Sequence, residues 1–171
     1  MNYPFLRTVV AVVALLSSTG CISSSVKNHK VLSSSSQESL RAPVAVFVEM
    51  AKEGTFDIRG DYDVPEMLQK SLKKAFAKQR IGTAAEGGSS VSIEITGVRA
   101  LSGATRAMWG GLPGGDYVKA TIRWSDGSSI ELTGATGMEY GAAFKYGTRV
   151  PIACDELANA IAKETKKRLT G

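Results

Sequence analysis

Four carboxylates, Asp57, Asp61, Glu94 and Asp116, are spread over the middle of this 171-residue chain. Any two of them held about 5–10 Å apart would form the carboxylate pair that glycoside hydrolysis uses. Asp57, Asp61 and Asp63 crowd one polar stretch, but a calcium loop needs ligands at alternating positions and a closing bidentate glutamate. That spacing is missing here, and one histidine with two cysteines is too few for a zinc site. Nucleophilic chemistry has equally little to work with. His29 lies in a serine-rich tether with nothing to hold it against a nucleophile, Cys154 falls on the apolar stripe of a helical pattern, and no G-x-S-x-G elbow occurs. The residues assign no catalytic group, no metal and no cofactor.

The other candidate is Gly103 to Asp116, GATRAMWGGLPGGD. Its glycines expose backbone N–H groups, and Arg106 beside them is a ready anion ligand. The stretch matches neither G-x-G-x-x-G nor G-x-x-x-x-G-K-[ST] and lies between two strand patterns, so it is no nucleotide loop. It reads instead as a strand connection that carries Met108, Trp109 and Leu112 on a turn. Apolar groups on such a turn mark a partner surface. Arg106, Met108, Trp109 and Leu112 are the candidate partner-binding residues.

The elements that must hold these residues read as an α+β domain. Val44 to Met50 is apolar on both alternating faces, which predicts a strand covered on both sides or inside a sheet. Ala51 to Tyr62 reads as a loop. Asp63 is a helix cap, with Pro65 in the first turn and Glu66 three residues on. The helix is expected to run to about Ile81 and stop at Gly82. Val64, Leu68, Leu72, Ala75 and Phe76 share its apolar face, opposite Lys70, Lys73, Lys74 and Lys78. Strands follow at Val91–Thr96 and Val118–Trp124, and Asp126-Gly127 signals a hairpin into Ile130 and Leu132. Residues 134–146 fit no single pattern. A second helix spans about Ile152 to Leu169, with Cys154, Leu157, Ala158 and Ile161 on one face and basic residues at its end. The expected order is β-α-β-β-β-α, a mixed sheet of about four strands with two helices on one face.

Upstream, Arg7 is the only charged side chain before Lys27, and Val9 to Leu16 is an unbroken apolar run. That run is shorter than the roughly 20 residues a membrane-spanning helix needs. It reads as a secretory signal that ends in small residues and Cys21. Ile22 to Ala42 is rich in serine and reads as a flexible tether, reaching about 70 Å fully extended and about 25 Å as a random coil. The expected organisation is a signal peptide over 1–20, a lipidated cysteine and tether over 21–42, and one domain over 43–171. After removal of residues 1–20, 20 basic and 16 acidic side chains leave a formal charge of +4. In an exported protein that mild excess fits anionic headgroups or an acidic partner rather than nucleic acid.

Thr19, Gly20 and Cys21 resemble the bacterial lipoprotein signal, while Ser18 departs from that family's usual leucine. The resemblance implies cleavage before Cys21 and lipidation of its thiol. By the same resemblance, Ile22 in place of Asp implies the periplasmic side of the outer membrane, with the periplasm itself as the alternative. The element order resembles the small domains of the curli-secretion lipoprotein and the penicillin-binding-protein activator lipoprotein. It is also similar to uncharacterised lipoproteins with an Arg and a glycine-rich turn between central strands, here Gly103, Arg106, Gly110, Gly111, Gly114 and Gly115. Fold does not fix function, and the first expectation for the chain as a whole is a non-enzymatic tethered domain that binds an envelope protein or assists assembly. A tethered hydrolase of cell-wall or lipid material acting through carboxylates is the alternative, and a soluble periplasmic binding module is another.

Overall fold

The computed structural model describes residues 24–33, 40–85, 88–101, 115–136 and 149–170. They form β1 (Ser24–Ser33), β2 (Val44–Ile58), α1 (Val64–Lys78), β3 (Ser89–Ala100), β4 (Tyr117–Trp124), β5 (Ser129–Thr136) and α2 (Val150–Thr170). The strands make one five-stranded sheet in the order β1-β5-β4-β3-β2. Only β2 and β3 pair in parallel, because α1 carries the chain back between them. The other pairs are antiparallel. The fold is α+β with a mixed sheet and two helices, as the residue patterns imply.

Period-two alternation puts Val91, Ile93 and Ile95 of β3, Val118, Ala120 and Ile122 of β4, and Ile130 and Leu132 of β5 on one buried face. Against them pack Leu68, Leu72 and Phe76 of α1 and Leu157, Ala158 and Ile161 of α2. The opposite face is polar and carries two diagonal ion pairs, Arg123–Glu94 at 2.7 Å and Lys119–Glu131 at 2.9 Å. The two helices also bond to each other, Ser71 Oγ donating to Asp155 Oδ1 at 2.5 Å.

The start of α1 is as the residues imply. Asp63 Oδ1 accepts the Glu66 N–H at 2.9 Å, and Pro65 sits in the first turn. Its end differs from expectation. The helix stops at Lys78, and Arg80 takes φ of 56°. The Arg80 N–H donates to the Ala77 carbonyl at 3.0 Å and the Ile81 N–H to the Phe76 carbonyl at 2.9 Å. That pairing closes the helix two residues before Gly82, with an arginine in the left-handed position that glycine usually fills.

Three further expectations change. The sheet has five strands, not about four, because part of the stretch read as tether, Ser24–Ser33, pairs with β5. A serine-rich segment has little pattern of its own, so only an available partner edge makes it a strand. β2 is an edge strand rather than a covered one, and it runs through the expected loop to Ile58. Phe47 on its outer face is 56% exposed. A bulge between Met50 and Thr55 lets the polar stretch after Met50 rejoin β3. The hairpin at Asp126-Gly127 forms, with Gly127 at φ of 83°, and β5 continues to Thr136. There Gly134 lets α2 approach closely, since a Cβ at that position would collide with the carbonyl oxygen of Ala153.

Candidate functional site

The lipidation candidate Cys21 and the partner-binding candidates Arg106, Met108, Trp109 and Leu112 lie outside the described residues. The sheet does show where the chain carrying them enters and leaves. Leu101 and Asp116 bracket the glycine-rich stretch, and the Leu101 N–H donates to Asp116 Oδ1 at 3.1 Å. The Asp116 N–H donates to Thr136 Oγ1 at 3.1 Å, and the Thr136 N–H donates to the Asp116 carbonyl at 3.0 Å. Asp116 is buried at this junction. Its carboxylate ties the end of β3 to the start of β4, which is a structural task.

The same corner gathers other chain segments. Thr136 is the last residue of β5, before the glycine-rich 137–148, and Ser24 of β1 lies opposite it. Ile58 at the end of β2 pairs with Ala100 of β3. The root of 102–114, the root of 137–148 and the start of β1 therefore share one end of the sheet. From the sequence alone nothing relates these stretches, because only strand register brings them together.

The four carboxylates do not converge on one another through the bonds they make. Asp57 Oδ1 accepts from Arg59 Nε at 3.0 Å. Glu94 is paired with Arg123 on the polar face of the sheet. Asp116 is buried at the loop root, and Asp61 lies exposed between β2 and α1. No group of three or more His, Cys, Asp or Glu side chains capable of holding a metal occurs among the described residues. Cys154 is free and fully buried on α2. Burial, with the nearby Asp155 carboxylate adding to it, pushes its thiol from an ordinary 9.0 up to about 12. A thiol so protected from ionisation is packing, not a nucleophile.

The feature that residue patterns missed is the distribution of exposed apolar groups. Every large apolar side chain exposed among the described residues sits on an edge strand: Val26, Val31 and Leu32 on β1, and Phe47, Phe56 and Ile58 on β2. Inner strands expose none. The alternation of VAVFVEM was the available signal for Phe47, but it reads the same for a covered strand as for an edge.

Two hollows flank β2 on the helix side of the sheet. One, of about 350 Å³, is lined by Val46, Leu72, Phe76, Gln69, Lys73 and the 83–85 segment. The other, of about 380 Å³, lies between Met50, Ile58 and the 61–65 segment. The second is the shallower, and both lie along the same strand edge.

No protein-family model matches the chain, and no curated protein matches it. Among solved structures, the fold is similar to that of a PelC dodecamer variant from Paraburkholderia phytofirmans. The two are 12% identical over 81% of this chain and 96% of that one, with a TM-score of 0.39. So distant a likeness carries no functional argument.

Proposed function

We propose that this chain is an exported envelope lipoprotein, anchored through Cys21, whose domain is a non-enzymatic module that binds an envelope protein or assists its assembly. One observation carries the binding part: among the described residues, the exposed large apolar side chains are confined to the two edge strands. Unpaired edges are sites of strand addition, and proteins usually blunt them with charge or cover them. Here β1 and β2 present valine, leucine, isoleucine and phenylalanine beside the charged Lys30, Glu49, Lys52 and Glu53. The anchoring part rests on the charged start, short apolar run and terminal cysteine of residues 1–21.

With β1 beginning at Ser24, the anchored form has only Cys21, Ile22 and Ser23 between lipid and sheet, about 10 Å of extended chain. The long stand-off that a 21-residue tether would allow is lost. The corner from which 102–114 and 137–148 emerge then lies next to the bilayer surface. Arg106, Met108, Trp109 and Leu112 in the first of these stretches remain the candidate residues for meeting an envelope partner. Two or three acyl chains on Cys21 make attachment stable where one would be marginal.

The test is the mass of the intact protein and of its N-terminal peptide from native membranes, beside Cys21→Ala. A peptide beginning at Cys21 with acyl mass added is the expected result. An unmodified N-terminus, or a Cys21→Ala protein that stays in the membrane fraction, removes the anchor. Crosslinking in membranes tests the binding part. It is expected to yield a discrete adduct that disappears when Phe47 and Phe56 are both changed to Ser.

A further inference from the structure

The outer edge of β2 is already used once. At its start the Val44 N–H donates to the Gly82 carbonyl at 2.9 Å, and the Ala84 N–H donates to the Val44 carbonyl at 3.4 Å. These bonds make Thr83 a one-residue parallel partner of Val44. In a strand, alternate peptide groups point to the same side. The N–H and C=O groups of Val46, Val48 and Met50 therefore point outward as those of Val44 do, away from β3. β2 ends the strand order, so this ladder stops after one rung among the described residues.

We infer that the groove between the β2 edge and α1 binds an extended peptide segment of a partner protein, added parallel to β2 from Val46 to Met50. This deepens the binding reading by naming its surface and ligand, and it is independent of lipidation. Three observations define the ligand. First, the bridge at Thr83 shows that this edge already accepts a parallel partner. Second, the two hollows lie at the two ends of this short run, one at Val46 and one at Met50. Four residues of strand span about 13 Å, so side chains four positions apart on one face of the incoming strand reach both. Val46, Leu72 and Phe76 give the first hollow an apolar wall, and Met50, Ile58 and Val64 do so for the second. Third, the ends differ in charge. Lys73 lines the first hollow, whereas Asp61 and Asp63 line the second.

The matching segment is an extended stretch with two apolar side chains four positions apart, an acidic residue before the first and a basic residue after the second. The β1 edge of a second copy does not fit. Its exposed Lys30 would bring positive charge to an edge where α1 already presents Lys73. The bulge after Met50 bends the strand and limits the added strand to about five residues. Main-chain hydrogen bonds then supply affinity, and the two hollows supply selectivity.

The probe is a seven-residue blocked peptide with glutamate first, leucine second and sixth, lysine last and β-branched residues between. It is titrated into the isotope-labelled full-length chain in detergent micelles while amide resonances are followed. Shifts concentrated at Val46, Val48 and Met50, with slowed amide exchange there, are the expected result. Lys73→Glu, an exposed helix position, is expected to weaken this peptide about tenfold and to favour its counterpart with lysine in first place. Val48→Pro removes one outward N–H at an edge where proline is tolerated, and it is expected to abolish binding while the β3 amides keep their protection. Unchanged β2 amides at millimolar peptide overturn the proposal. So does binding that is indifferent to Lys73→Glu, or concentration-dependent self-association that shifts the same amides without peptide.

Discussion

The indole N–H of Trp124 donates to the hydroxyl of Thr165 at 3.0 Å, tying β4 to the last turns of α2 in the protein interior. The guanidinium of Arg168 lies over the same ring, 4.2 Å from its centroid. Arg168 Nε is itself buried without a hydrogen-bond partner among the described residues, so the indole face is its polar contact. Removing the acceptor by Thr165→Val leaves a buried N–H unpaired and is expected to cost about 1–3 kcal/mol. Arg168→Ala is expected to cost about 0.5–2 kcal/mol through lost cation–π contact and packing. Urea unfolding of both variants is the measurement. An unchanged midpoint for Thr165→Val would show that the bond contributes nothing.

Arg80 closes α1 in the left-handed region with φ of 56°. A Cβ is unfavourable there and glycine is not. Arg80→Gly is therefore expected to stabilise the protein by about 0.5–1 kcal/mol, against the usual direction of a glycine substitution. Thermal unfolding checks the sign. A lower melting temperature would mean that the Arg80 side chain contributes more than its backbone conformation costs.

Gly134 faces the first turn of α2, and an added Cβ meets the backbone of Ala153 as well as Leu157. Backbone cannot swing aside as a side chain can. Gly134→Ala is expected to cost about 1–3 kcal/mol by pushing α2 off β5. In denaturant melts this change should exceed that of Gly127→Ala, where nothing lies within 4 Å and only the φ of 83° is at stake.

Cys154 has a pH signature. Its thiol is pushed up to about 12 by burial, whereas an exposed thiol ionises near 9.0. Below pH 9 the group is protonated in both states and contributes no pH dependence. As pH rises from 9.0 towards 12, the unfolded chain loses this proton first, so stability is lost at up to about 1.4 kcal/mol per pH unit. The difference between the wild type and Cys154→Ala, followed by urea unfolding from pH 7 to 10.5, is expected to be flat up to about 9 and then to narrow. A difference independent of pH would show an unshifted thiol. Alkylating reagents are expected to leave Cys154 unmodified until the protein unfolds.

Much of this molecule follows from local chemistry. The cap at Asp63, the apolar stripe from Val64 to Phe76, the turn at Asp126-Gly127 and the period-two faces of β3, β4 and β5 each depend on neighbours within a few residues. The α+β class follows from them. The position of Val44–Met50 does not, because a strand apolar on both faces reads alike at the centre or at the edge. Only the sheet order makes it an edge with Phe47 exposed. The strand at Ser24–Ser33 is equally non-local: its residues form a strand because β5 offers an open edge. The candidate site divides the same way. Residue types alone single out Cys21 and the Arg106–Leu112 stretch and argue against nucleophilic chemistry at Cys154. The groove between β2 and α1, its oppositely charged ends and the corner shared by both glycine-rich stretches are decided by strand register and helix packing. Those are contacts between residues tens of positions apart, and no local pattern encodes them.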